Sequence, residues 1–262
     1  MKVLAIMGSP HKGNTFEKTQ RMEDELKKLG DVDFEYIHLK DLDIKPCKGC
    51  FVCFIKGEDY CPLDDDKEKI SIKIAEADGV IFVSPVYSMH VSYLMKKFID
   101  RFAYNFHRPR YFGKYAVTLA VTGGIGLEET LKYLKMITVC WGFQFVDQLD
   151  FIAPPRNTPI RPLMKKKDRT EEVAIKFYKA MKERKPRKLT FSDYLMFRSM
   201  QAVYSRMETM SPADYKYWNE KGWLEKDVEY FYTNVRGSFF KDIIARFMAW
   251  MTGRKIDKSM VR

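Results

Sequence analysis

Four of the five cysteines fall inside fifteen residues, CKGCFVCFIKGEDYC, at Cys47, Cys50, Cys53 and Cys61. The spacing is C-x2-C-x2-C-x7-C, with Pro62 next. Two-residue gaps let successive thiolates turn toward one centre, so three can take three corners of an iron–sulfur cubane while the fourth comes from further along. Four thiolates also suit tetrahedral zinc, although three so closely spaced are unusual for its paired knuckles. They can equally serve as redox thiols, or hold no metal and pack as small apolar side chains. Spacing alone leaves these readings open. Cys140 stands apart in an apolar helical stretch and reads as core.

A second stretch, GSPHKGNT (8–15), follows a short apolar run and precedes a helical pattern. Small residues let the backbone approach an anion, and the start of a helix offers N–H groups and the positive end of its dipole. Ser9, Asn14 and Thr15 add side-chain donors. The stretch is neither the Lys-Ser/Thr nucleotide loop nor the dinucleotide GxGxxG. It suits a monophosphate such as that of FMN. Two more loops, SPVYSMHVS (84–92) and TGGIG (122–126), also follow apolar runs. Pro85, Val86 and Tyr87 would offer backbone amides and an aromatic face to a flat ring, while Gly123 and Gly124 allow close approach.

These stretches must be positioned by a scaffold, and the chain has one. Short apolar runs at 3–7, 34–39, 79–84, 115–121 and 143–149 read as buried parallel strands. Helical periodicity fills 15–29, 66–77, 90–105 and 126–140 between them. The alternation predicts an α/β doubly wound sheet of flavodoxin-like order 2-1-3-4-5, with the ligand beyond the strands' carboxyl ends. All three loops then converge on one cleft. FIAPPRNTPIRPL (151–163) reads as a proline-rich surface connector, 168–184 as an amphipathic helix and KERKPRKL as a basic turn. The remainder, 191–262, reads as wholly helical, with segments near 191–210, 212–221 and 238–252. The expected division is 1–185 for the α/β domain and 186–262 for a basic, aromatic-rich extension.

In 262 residues, 46% are hydrophobic, enough for a packed core. No run of eighteen apolar residues marks a membrane span, and the start lacks the pattern of a secretion signal. A cytoplasmic setting is expected, where clustered thiols point to metal or redox chemistry before disulfides. The +11 charge is uneven. Residues 156–262 hold 25 Lys+Arg against 13 Asp+Glu, leaving 21 against 22 for residues 1–155. That surplus reads first as a solvated helical face, and no nucleic-acid motif accompanies it.

GSPHKGNT, SPVYSMHVSYLMKKFIDR and VTGGIG together resemble the flavodoxin-like NADPH-dependent FMN reductases, above all their iron–sulfur flavoprotein branch. The resemblance covers roughly residues 1–155. It implies that Ser9, His11, Gly13, Asn14 and Thr15 hold the FMN phosphate. Pro85, Val86, Tyr87 and Ser88 would border the flavin ring, with Thr122, Gly123 and Gly124 on its other side. The flavin N5 would carry the hydride chemistry, so no protein acid or base is assigned. Cys47, Cys50, Cys53 and Cys61 would ligate a [4Fe–4S] cluster. Similar reductases carry such a loop as packing without a cluster. Lys96, Lys97, Asp100 and Arg101 belong to the family's helix signature, as a structural or dimer-contact set. The implied activity is electron transfer from NAD(P)H or a ferredoxin-type donor to a quinone, nitro or azo compound, or a protein acceptor. A pure electron-transfer module is the alternative, and a homodimer or homotetramer the expected assembly.

In the tail, SFFKDIIARFMAWMTGRK sets Phe239, Phe240, Ile243, Ile244, Phe247, Met248 and Met251 on one helical face. That stripe is read as packing on the α/β domain or on a second subunit rather than as a membrane-surface helix. The aromatic run YKYWNEKGWLEKDVEYFY (215–232) is expected to cover a cleft or anchor a dimer.

Overall fold

The computed structural model describes residues 1–154, 167–185, 187–232 and 235–260. Its contacts divide the chain into two units: Met1–Lys48 with Leu63–Arg184, and Gly49–Pro62 with Lys185–Arg262. The connector expected at 151–163 lies outside the described residues from position 155 onward.

In the first unit the β-branched and apolar runs become strands β1 (Lys2–Met7), β2 (Asp33–His38), β3 (Gly79–Tyr87), β5 (Tyr115–Thr122) and β6 (Gln144–Ile152). They form a parallel sheet in the order β2-β1-β3-β5-β6, the flavodoxin-like arrangement. A two-residue strand β4 (His90–Val91), not foreseen in the sequence, pairs antiparallel with the end of β3. Alternation along each strand divides two apolar layers. Val3, Ala5 and Met7 of β1, with Ile81 and Val83 of β3, pack toward α1 (Asn14–Leu29) and α6 (Thr170–Glu183) through Met22, Leu26 and Phe177. On the other face Phe82 meets Phe98 of α4 (Tyr93–Arg101), as well as Trp141 and Phe143. Helices α3 (Lys67–Glu76) and α5 (Leu127–Cys140) complete the unit.

The register positions the loops. Met7 is level with Val83, and Val83 with Leu119, so β1, β3 and β5 end at the same edge. β3 pairs with β1 only through Val83 but with β5 through Pro85. Beyond Val83 β3 no longer pairs with β1, and Pro85, which has no N–H to give a ladder, is tolerated there. The winding of the sheet reverses direction between β1 and β3, which makes this gap the topological switch point.

The acidic run Asp64–Asp66 ties this unit together. Arg101 Nε and Nη2 donate to the two carboxylate oxygens of Asp65 at 2.7 and 3.0 Å, with both side chains almost fully buried. Asp65 also accepts from the Lys45 and Lys67 amides. Burial alone would raise the Asp65 pKa, but the Arg101 hydrogen bond, these amides and the Arg101 charge hold it below the ordinary carboxylate range. Of the signature set, Arg101 is thus a structural residue, whereas Lys96 and Asp100 form an exposed pair one turn apart.

The second unit is not wholly helical. Helices α7 (Phe191–Tyr204), α8 (Pro212–Glu220) and α9 (Phe239–Met260) are joined by a parallel pair of two-residue strands, β7 (Arg187–Lys188) and β8 (Val235–Arg236). The unit also includes α2 (Val52–Ile55) from the cysteine run, where the Ser211 hydroxyl donates to the Phe54 carbonyl at 3.2 Å. The aromatic run forms this unit's own core. Trp218, Trp223, Tyr230 and Phe231 are buried around Phe197, and Trp223 Nε1 donates to the Phe231 carbonyl at 3.0 Å. Four large rings so close in sequence can bury one another, which sequence reading overlooked in assigning them to a cleft or dimer.

Arg101→Met strands the Asp65 carboxylate in the interior, and urea unfolding should show a loss of about 3–5 kcal/mol. The wild-type contribution of Asp65 is present above its unfolded pKa and disappears as the pH falls below about 4 through the depressed folded value. The cost of Arg101→Met should therefore shrink in acid.

Candidate functional site

A cavity of about 480 Å³ opens at the switch point. One wall comes from the β1–α1 loop (Ser9, His11, Lys12, Gly13, Asn14, Thr15), another from the end of β3 (Pro85, Val86, Tyr87). The rest comes from Val121, Thr122 and Gly123 at the end of β5, and from Ala153 after β6. Ten of the twelve residues expected from the sequence thus share one cavity, while Ser88 and Gly124 are not among its lining. Lys12, Val121 and Ala153 were not expected. Lys12 could have been found, since it is the cation inside the loop motif itself.

Two side-chain donors of the β1–α1 loop bond backbone carbonyls. The Ser9 hydroxyl donates to the His11 carbonyl at 2.7 Å, folding the loop on itself. The Asn14 amide donates to the Pro154 carbonyl at 2.8 Å, joining the loop to the chain after β6. The Thr122 hydroxyl donates to the Ile125 carbonyl and accepts from the Gly124 amide, which explains why Gly124 turns within its own loop. These three groups hold the shape of the loops.

That backbone is suited to the task. Gly13 occupies the N-cap of α1 and has no side chain with which to cap it, and the first intrahelical bond runs from Glu17 N to Gly13 O. The amides of Asn14, Thr15 and Phe16 therefore have no acceptor within the helix. The Lys12 ammonium lies 5.1 Å from the Phe16 ring centroid, beside the same helix start. Its charge reaches His38, whose pKa is lowered by burial first and by Lys12 second.

The opposite wall is a strained hairpin. Tyr87 pairs with His90 across Ser88 and Met89, both at positive φ (48° and 69°). Such a two-residue turn matches strand twist, but it normally calls on Asn or Gly; two ordinary side chains here store strain. The surroundings over-determine the turn. Gly126, at φ +90°, approaches so closely that an added Cβ would lie 2.8 Å from the Met89 Cα. The Ser92 amide donates to the Ser84 hydroxyl at 3.0 Å. The Ser92 hydroxyl donates to the Gly8 carbonyl at 2.5 Å and caps α4 by accepting from the Met95 amide. One buried serine thus links the phosphate-type loop, the hairpin and a helix start. Its position just before an apolar helical run was the available signal. Burial raises the pKa of the Tyr87 phenol, so the ring at the rim is neutral at ordinary pH.

Residues 1–157 match the sequence profile of the NADPH-dependent FMN reductases. The chain belongs to that family. It lies on the iron–sulfur flavoprotein branch: an iron–sulfur flavoprotein of Archaeoglobus fulgidus is 30% identical over 86% of this chain and 100% of its own length. One from Clostridioides difficile is 27% identical over 85% and 99%. Among solved structures, RosB with bound 8-demethyl-8-formylriboflavin-5′-phosphate superposes with a TM-score of 0.53 at 14% identity, over 70% of this chain and 79% of RosB. A flavone reductase gives 0.53 at 19%, over 70% and 64%. At such identities the likeness concerns the fold.

FMN fits the reductase cavity. Its volume is that of a small-ligand site, its polar end is a helix start with a lysine, and its other walls are flat backbone at strand ends. Cys47 belongs to the first unit, whereas Cys50, Cys53 and Cys61 belong to the second. Cys47 and Cys50 are exposed, Cys53 and Cys61 half-buried. Among the described residues no three His, Cys, Asp or Glu side chains converge to hold a metal. Cys140 is also half-buried rather than fully in the core, and burial pushes its thiol pKa up.

Gly126→Ala places a side chain in left-handed backbone against the Met89 turn. The urea midpoint should fall by the equivalent of about 2 kcal/mol, and the same mutation at Gly124, where added bulk meets nothing within 4 Å, should cost much less.

Proposed function

We propose that the chain is an FMN-dependent oxidoreductase that takes electrons from NAD(P)H or a ferredoxin-type donor and passes them to a quinone, a nitro or azo compound, or another acceptor. The observation that carries this reading is the cavity at the switch point, bounded by the uncapped start of α1. Bound FMN would supply the hydride and electron chemistry at its flavin ring. The chain's own contribution is placement. The Asn14, Thr15 and Phe16 amides with Lys12 would hold the phosphate, and the α1 dipole would favour its negative charge. Pro85–Tyr87 and Thr122–Gly123 would confine the ring, with the rigid hairpin at Ser88–Met89 fixing its distance from the rim. No side chain of the cavity is assigned as acid or base.

A second reading, an electron-transfer module bearing a [4Fe–4S] cluster on Cys47, Cys50, Cys53 and Cys61, is favoured by the four clustered thiols. The names of the curated relatives also favour it. Within the second unit, Cys50, Cys53 and Cys61 would have to draw together to ligate it.

Purified chain should carry one FMN, and NADPH or NADH with a quinone should be consumed catalytically. Binding without turnover would remove the enzyme reading and leave the module. Asn14→Ala, which unties the loop from Pro154, should weaken FMN binding roughly tenfold by flavin fluorescence titration. Iron and acid-labile sulfide on anaerobically purified protein test the second reading. About four of each per chain supports the cluster, and their absence from FMN-loaded protein removes it.

A further inference from the structure

Helix α9 buries the face made of its smallest residues and exposes the face made of its largest. Asp242, Ala245, Ala249 and Gly253, three or four positions apart, are buried on the side packed on α7. Asp242 is anchored by the Arg198 guanidinium, at 2.6 and 2.9 Å, and by Arg246 at 2.7 Å. The stripe expected to pack points the other way. Phe239 is 75% exposed, Phe240 78%, Ile243 47%, Ile244 53%, Phe247 59% and Trp250 52%. Small side chains let α9 lie close to α7, and the ion pair fixes its rotation, so the aromatic half has to face outward.

We infer that the outward half of α9 is a membrane-surface helix that docks on anionic lipid. The exposed positions, at 100° per residue, sweep about half the circumference. A helix can satisfy a protein core with an apolar stripe of only about 100°. From Phe239 to Met251 that half carries no charge, and then Arg254, Lys255 and Lys258 follow on the same side. The Arg254 guanidinium lies 4.8 Å from the Trp250 ring centroid, a cation at the end of an apolar face. The two acids of α9 are engaged elsewhere, Asp242 as above and Asp257 with Arg206. A second copy laid antiparallel on this face would therefore set three cations over Phe239 and Phe240 with no α9 carboxylate to receive them. An anionic bilayer accepts both parts, apolar side chains below the headgroups and cations among them. Lys185–Arg262 adds 15 Lys+Arg against 9 Asp+Glu to the attraction. No described helix is long and apolar enough to cross a membrane, so α9 would lie in the interface.

The test is sedimentation of the full, FMN-loaded chain with vesicles of phosphatidylcholine alone or mixed with phosphatidylserine, alongside its mass by light scattering. Wild type should sediment with the mixed vesicles and far less with phosphatidylcholine alone. Phe240→Ser with Phe247→Ser, folded by circular dichroism, should remain in solution. Arg254→Gln, Lys255→Gln and Lys258→Gln together should weaken partitioning to the mixed vesicles by about a hundredfold. Wild type that ignores both vesicles, or a phenylalanine variant that binds as wild type does, overturns the inference. So does a wild-type dimer without vesicle binding that the phenylalanine changes convert to monomer, an outcome that gives the face to a second copy.

Discussion

Three backbone N–H groups open α1 without an intrahelical acceptor, and the residue before them is a glycine that cannot cap them. That deficit organises the first unit. The amides follow the end of β1, at the level where β3 runs on past its last β1 partner, Val83. Around them the polar side chains are engaged in holding backbone: Ser9 to His11, Asn14 to Pro154, Ser92 to Gly8. The result is a concave site in which the free amides of a helix start and the Lys12 ammonium line the same wall. On the proposed reading a phosphate would meet geometry fixed before binding, so little ordering would remain to be done when it arrives.

The same economy explains the strain opposite. Ser88 and Met89 persist at positive φ because Gly126 fits against the turn and Ser84 and Ser92 anchor its base. A softer turn would let the aromatic rim at Tyr87 drift relative to the helix start.

Much of this was legible in the sequence. The buried parallel strands are short apolar runs, and their helices carry clean periodicity, so strand order and the converging loops followed directly. The backbone contacts of Ser9 and Thr122 depend on how their own loops turn, and that of Asn14 on a segment far away in sequence, so none was legible. Asn14 and Pro154 are one example. Arg101 with Asp65 is another, a clamp formed by two positions in stretches that sequence reading kept apart. In α9 the apolar stripe was correctly seen, but its direction was set by Ala245, Ala249, Gly253 and the Asp242–Arg198 pair, which hydropathy ranks as unremarkable. The cysteines show the reverse limit: spacing names plausible ligands, while convergence depends on the placement of backbone, and here Cys50, Cys53 and Cys61 do not converge.

The central claim is that the start of α1 selects a phosphate. Parallel titrations of the apo chain with FMN and with riboflavin, which lacks the phosphate, test it most directly. Charge-assisted hydrogen bonds from the α1 amides and Lys12 should make FMN bind roughly a hundredfold tighter or more, with the gap narrowing in Lys12→Ala. Equal affinity for the two flavins would contradict the account.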